Sequence, residues 1–321
     1  MTLVRVTARF GTVCLVALAA VDVWLVGVAL RSNHTGGIDT SPVSSAIVPT
    51  GAAPSPSSTP SGTSATTGTA ATTGTAPTAQ ADPLQTMLVA VDTLRAWRVR
   101  VGSCSAGGAT VAATTDGGKT WANAKAPLRT VVRVRLVDAQ SAFVIGADAS
   151  CVAELKNTTD GGGTWESAID VGRAWFRDPK DPRVVGAPGP STSQPCGARA
   201  VVDLAALSTG NARVLCADGQ VRSTSNSGST WTDLGRAAGA VALAVPLANL
   251  AQTYVAVLNA ADCAGVQVRR VDQRIATACV VTAAPRDQGQ VALSLVDGGG
   301  WLTVGDKTMR STDNLVTWSL S

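Results

Sequence analysis

The chain is short of the side chains that carry most acid–base and nucleophilic chemistry. Its 321 residues include one histidine (His34), one tyrosine (Tyr254), three phenylalanines and two glutamates (Glu154 and Glu166). A Ser-His-Asp or Cys-His site needs an imidazole beside its nucleophile, and the commonest zinc sites also draw on histidine. With His34 as the sole imidazole, both classes lose their usual base or ligand. Lysine is scarce too. Arginine dominates the 26 basic residues, and with so much Ala, Val, Thr and Gly this reads as the usage of a GC-rich genome. On such a composition a formal charge of +4 gives no reason to expect a nucleic-acid partner. No metal and no cofactor is expected.

What is present divides the chain into an anchor, a stalk and a body. Residues 10–30 are an apolar run, which as a helix spans about 30 Å and so crosses a bilayer once. Arg5 and Arg9 precede it without an acidic residue, so residues 1–9 are expected in the cytoplasm and everything after Arg31 outside. The competing reading is a cleaved signal peptide ending near Ala17-Leu18-Ala19, although the apolar run continues well past that point. Residues 31–82 turn to Ser, Thr, Pro, Ala and Gly, with a tandem Ala-Thr-Thr-Gly-Thr-Ala at 65–70 and 71–76. Such a segment buries too little surface to offset its ordering entropy and is expected to be a disordered stalk. The body, residues 83–321, holds six of the seven cysteines, an even number that beyond a membrane reads as three disulfides.

One octapeptide recurs in the body: Thr114 to Trp121, Thr158 to Trp165, Thr224 to Trp231 and Ser311 to Trp318. Its pattern is Ser/Thr-x-Asp-x-Gly-x-Thr-Trp. Asp116, Gly118 and Trp121 fill the key positions in the first copy, and Asp160, Gly162 and Trp165 in the second. The third has Asn226, Gly228 and Trp231; the fourth has Asp313 and Trp318, with Leu315 where Gly is expected. The spacing suits a tight turn between antiparallel strands. A short carboxylate accepts hydrogen bonds within its own loop, Gly takes a positive φ, and Trp packs against the neighbouring sheet.

This octapeptide resembles the Asp-box, or BNR, repeat of sialidases, sortilin-type receptor ectodomains and photosystem-assembly-factor-like proteins. The resemblance implies an all-β fold, a β-propeller, with the boxes at its periphery away from the ligand face. The tryptophans lie 44, 66 and 87 residues apart, which a unit of about 44 residues fits if one box has decayed. Five four-stranded blades are therefore expected. Residues 173–198, rich in Asp-Pro and Gly-Pro, are either a long loop or a degenerate sixth blade.

Cys104, Cys151 and Cys216 lie 12, 9 and 10 residues before the box Asp or Asn, so they occupy similar places near the turn between second and third strands. Fifteen pairings are open to six cysteines. The matching positions favour Cys104–Cys151 across adjacent blades, with Cys196–Cys216 and Cys263–Cys279 closing short loops.

Sialidase chemistry would need a Tyr nucleophile paired with Glu, and an arginine triad for the substrate carboxylate. Here Tyr254 lies in an alternating strand, Glu166 follows a box tryptophan, and the Arg-Ile-Pro motif is missing. No catalytic residues are assigned. Arg98 and Arg100, then Arg133 and Arg135, alternate with Val and project from one face of their strands. Either they build a cationic binding surface on two adjacent blades, or they pair with Asp of neighbouring strands. The expected protein is a single-pass bacterial membrane protein whose extracytoplasmic propeller is a non-catalytic binding or assembly scaffold for an envelope protein or glycan. The alternative is a sialidase-like glycan-binding or glycoside-hydrolysing protein.

Overall fold

The computed structural model describes residues 83–321 apart from 167–170, 173, 189–191, 274–275 and 286. The expected anchor at 10–30 and stalk at 31–82 lie outside the described residues. Among those described, no helix is long and apolar enough to cross a membrane, and the one helical element is a single 3₁₀ turn, Gln288–Gln290.

Short runs rich in Val, Ala and Thr, separated by Gly, Asp and Ser turns, form six antiparallel sheets, each with its strands in sequence order. The first blade is Thr86–Ala90, Ala96–Arg100, Thr110–Thr114 and Ala122–Ala124 (β1–β4). The second is Thr130–Leu136, Ala142–Ala147 and Ala153–Thr158 (β5–β7), and the third is Phe176–Arg177, Val185–Gly186 and Thr192–Ser193 (β8–β10). The fourth is Val201–Ala206, Ala212–Cys216, Gln220–Thr224 and Thr232–Arg236 (β11–β14). Ala240–Ala244, Tyr254–Leu258, Gly265–Arg270 and Ala276–Val281 (β15–β18) make the fifth. The sixth is Val291–Val296, Gly299–Val304, Lys307–Ser311 and Ser319–Leu320 (β19–β22). Contacts run around a ring from β1 through β5, β8, β11, β15 and β19 back to β1, so the fold is a six-bladed β-propeller.

The count corrects the expectation of five blades. The Pro-rich stretch after residue 173 is a reduced blade whose strands have two residues each, too short for the alternation that marks a strand in sequence.

Each octapeptide follows the third strand of its blade, in the first, fourth and sixth blades as the turn into a described fourth strand, and all four are closed by the same bonds. Thr114 Oγ1 donates to Asp116 Oδ1 (2.8 Å) and accepts from Gly118 N–H (3.0 Å), while Asp116 accepts from the backbone and hydroxyl of Thr120 (3.0 and 2.6 Å). Asp160 and Asp313 repeat this with Thr164 and Thr317. Asn226 keeps the geometry with its amide, accepting from Thr230 N–H (3.0 Å) and donating to the Thr230 hydroxyl (2.9 Å). Gly118, Gly162 and Gly228 have φ of +91°, +91° and +85°, and Leu315 takes +71° at the fourth site, so the turn imposes the left-handed conformation even on a residue that resists it.

Three of the four octapeptide tryptophans reach back to the preceding blade. Trp165 meets Trp97 edge to face (6.2 Å, 81°), and Trp231 meets Trp175 (6.0 Å, 76°). Trp121 of the first blade meets Trp301 of the sixth (6.2 Å, 79°). The partners Trp97, Trp175 and Trp301 are the largest fully buried side chains, whereas the box rings are half-buried covers over them. Trp318 finds no such partner, and its Nε1 donates to Leu315 in its own turn (3.2 Å).

Two predictions follow from these contacts. Trp301→Ala should lower stability by roughly 3–5 kcal/mol in urea unfolding, since it empties a buried site at the first–sixth seam; a loss under 1 kcal/mol would contradict the latch. The second concerns acid. Hydrogen bonds from Thr120, the Thr164 backbone and Thr317 hold Asp116, Asp160 and Asp313 at about 2, against an ordinary 3.8. Because these values are depressed, their stabilisation is complete above pH 3.8 and is lost as pH falls toward 2. A variant with Asn at all three positions should show a flatter loss of stability between pH 4 and 2 than the parent chain.

Candidate functional site

In every complete blade the first strand starts, the second ends, the third starts and the fourth ends at one face of the ring. The octapeptide turns lie at the other. Gly117 N–H, in the first octapeptide, donates to Leu94 in the β1–β2 turn (2.9 Å), tying those two turns together. On the opposite face lies a cavity of about 1250 Å³. Its lining runs from the mouth of the central channel (Leu84, Val132, Arg177 and Val201) outward over the seam between first and sixth blades (Arg98, Arg100, Asp306 and Lys307).

The β2–β3 loop forms one wall. Gly102 has φ +73°, and a Cβ there would lie 2.5 Å from Ala109 N and Arg129 O, so this close approach of two backbones requires glycine. Arg129 donates to the Cys104 carbonyl (2.7 Å) and to that of Ser105, pinning the loop from outside. Cys104 is bonded to Cys151 in the corresponding loop of the second blade, and both line the cavity. The other bridges are Cys196–Cys216 and Cys263–Cys279, so the chain forms the cross-blade pair that the matching positions favoured and the two expected short-loop pairs.

Of the four candidate arginines, two reach the cavity. Arg98 is half-buried, stacked 4.6 Å over Trp121 and donating to Thr308 Oγ1 (3.2 Å) across the seam. Burial lowers its pKa and Asp306 partly restores it. Arg100 is exposed on the lining. Arg133 and Arg135 are not part of the lining. Arg133 lies over Phe143 (5.3 Å) and donates to the Trp175 carbonyl, bracing second blade against third, while burial, aided by repulsion from Arg135, lowers its pKa to about 10. The two pairs therefore do not make one surface. Alternation gave the sheet face but not the interface it meets, and a bulge between Val131 and Arg133 shifts the register there. Among the described residues Arg98 and Arg133 do not form ion pairs with Asp; their donors go to a hydroxyl and to backbone carbonyls of a neighbouring blade.

Two cavity cations escaped the sequence: Arg177, in the reduced third blade, and Lys307, beside the β20–β21 turn. The long Gly102–Gly108 loop was the one local hint of an elaborated face. The lining carries four cations (Arg98, Arg100, Arg177 and Lys307) against two carboxylates (Asp178 and Asp306). Asp178 is already engaged, accepting from Lys180 and Asp181 N–H (2.7 and 3.0 Å). None of the described lining residues is aromatic, His or Glu. Tyr254 lies elsewhere, donating to Gln252 Oε1 (3.0 Å), and Glu166 N–H bonds Asn157 at the outer edge of the second blade.

No family model matches the chain, and no curated protein does. Among solved structures it is similar to YCF48 bound to D1 peptide, at 21% identity over 76% of this chain and 68% of that one, with a TM-score of 0.30. YCF48 from Cyanidioschyzon merolae is 16% identical over 75% and 86% of the two chains (TM-score 0.36). A GH74 enzyme of Niastella koreensis is 14% identical over 72% and 41% (TM-score 0.27). None of these likenesses is close enough to carry a residue's role across.

The Cys104–Cys151 bridge closes the longest loop of the three, 47 residues, and is the one that joins two cavity-lining loops. Replacing both cysteines by Ser should cost roughly 2–4 kcal/mol in urea unfolding, more than the same change at Cys263 and Cys279, whose loop spans 16 residues. Equal losses at the two bridges would refute the ranking.

Proposed function

We propose that the protein is a non-catalytic binding or assembly module that holds an extended, acidic segment of an envelope partner in the propeller cavity. The observation that carries this reading is the lining: a cavity with four cations, two carboxylates of which Asp178 is spent on backbone N–H groups, and no aromatic ring among its described residues. A net-positive cavity suits a negatively charged chain. Glycoside hydrolysis ordinarily needs two working carboxylates, and sugar recognition favours aromatic platforms, so the lining supports the glycan alternative less well.

The setting we propose is the one expected from the sequence. Residues 1–9 lie in the cytoplasm, residues 10–30 cross the cell membrane once, residues 31–82 form a stalk, and the propeller is extracytoplasmic. Three disulfides accord with an oxidising compartment. A tether of this kind would raise the propeller's effective concentration near partners in the same membrane.

The test is binding of the full chain to a labelled extended peptide rich in Asp and Glu, alongside its Asn/Gln counterpart and a panel of sialosides and cell-wall glycans. The acidic peptide should be preferred. Replacing both Arg100 and Lys307 by Ser should weaken it roughly tenfold, as expected for two partly solvated charges. Equal binding of acidic and neutral peptides, or turnover of a glycan, would sink the proposal.

A further inference from the structure

Among the cations of the cavity, Arg177 is the least solvated. It ends β8 with 7% of its surface exposed. Its Nη1 donates to the Val202 carbonyl (3.0 Å), the same oxygen that takes the N–H of Leu84 (3.3 Å). Arg177 thus sits at the mouth of the channel, where the inner strand of the fourth blade meets the lead into β1. Its Nε and Nη2 have no hydrogen-bond partner among the described residues, neither is sealed inside the protein, and the residue lines the cavity.

Asp203 is the acid that acts on it electrostatically, raising a pKa that burial lowers. No ion pair forms among the described residues, because the Asp203 carboxylate is spent on the N–H groups of Leu204 (2.7 Å) and Leu243 (2.8 Å). Three other interface arginines are better provided for. Arg213 donates to Gln252, Thr253 and Leu250, and Arg98 and Arg133 lie over aromatic rings. A desolvated guanidinium with one edge unspent is costly alone and well matched to an anion, since parallel N–H donors from Nε and Nη2 fit the two oxygens of one carboxylate.

We propose that Arg177 is the anchor for a single carboxylate of the bound segment, a subsite at the channel mouth separate from Arg100 and Lys307 at the outer end of the cavity. The inference rests on the binding role proposed above. It adds polarity: a segment lying in the cavity meets one enclosed, geometrically demanding cation at the centre and looser, solvated cations over the seam. The carboxylate could belong to a chain terminus or to an Asp or Glu side chain; the chemistry at Arg177 is the same.

The experiment uses the full chain and the acidic peptide in three forms: unmodified, with its C-terminus amidated, and with its acidic side chains replaced by amides. Arg177→Gln should weaken the unmodified peptide about ten- to a hundredfold, and Arg177→Lys should fail to restore it, because an ammonium offers no fork. The peptide form for which Arg177→Gln no longer matters identifies the source of the carboxylate. Parent-like binding by Arg177→Gln, with the Arg100/Lys307 double variant weakened, would overturn the subsite and leave the cavity proposal standing. If neither variant changes binding, the cavity proposal itself fails. Should Arg177→Gln not fold, phenylglyoxal labelling of the unaltered chain decides: saturating peptide should protect Arg177, and unchanged labelling there would refute the anchor.

Discussion

The ring closes without a shared strand. β1–β4 all come from the start of the described propeller and β19–β22 all from its end, so no backbone ladder joins the first blade to the sixth. What holds them is largely side chain. Trp301 Nε1 donates to Asp92 O (2.8 Å), Arg310 to Thr93 O (2.9 Å), and Ser294 Oγ accepts from Ala90 N–H (3.1 Å). Gln85 adds bonds to Gly289 and Asp287, and Trp121 covers Trp301. An open ring would expose β1 and β19 together, so the other blade interfaces keep their geometry only while this seam stays shut.

The same two devices recur at other seams. One is a box tryptophan laid edge-on over a buried tryptophan of the preceding blade, worth about 0.5–1.5 kcal/mol beyond the area it buries. The other is an arginine reaching across to backbone carbonyls: Arg133 to Trp175, Arg213 to Gln252 and Leu250, Arg222 to Pro195. Lysine could not serve equally, because a planar fork of donors on a weakly hydrated group spans an interface at less desolvation cost than an ammonium. The preference for arginine, which looked like codon usage alone, therefore also has a structural use.

Which parts were legible in sequence follows from how local they are. The octapeptide turn is closed within eight residues, so its Thr, Asp and Gly positions display the geometry directly. The Cys104–Cys151 pair was readable because its two cysteines lie at matching places in successive blades, and the other two pairs because each closes a short loop. Of the tryptophan latches only half was legible: the octapeptide ring was expected against the neighbouring sheet, but Trp97, Trp175 and Trp301, which carry no local motif, become its partners only once the ring exists. Arg98 and Arg100 lie where a cationic face was sought, whereas Arg133 is consumed between blades. Arg177 was hidden in a stretch whose strands are too short to announce themselves.

That reduced third blade also shapes the cavity. With strands of two residues, β8 is the described strand of its sheet that meets both β5 and β11, the place longer blades give to a first strand. The loop after it, anchored by Asp178, brings Pro179 and Pro182 onto the lining, and Arg177 comes within reach of Val202. Trp175 under Trp231 and the Cys196–Cys216 bridge fasten this minimal sheet to the fourth blade. The inner place of β8, between β5 and β11, thus sets a buried guanidinium at the channel mouth.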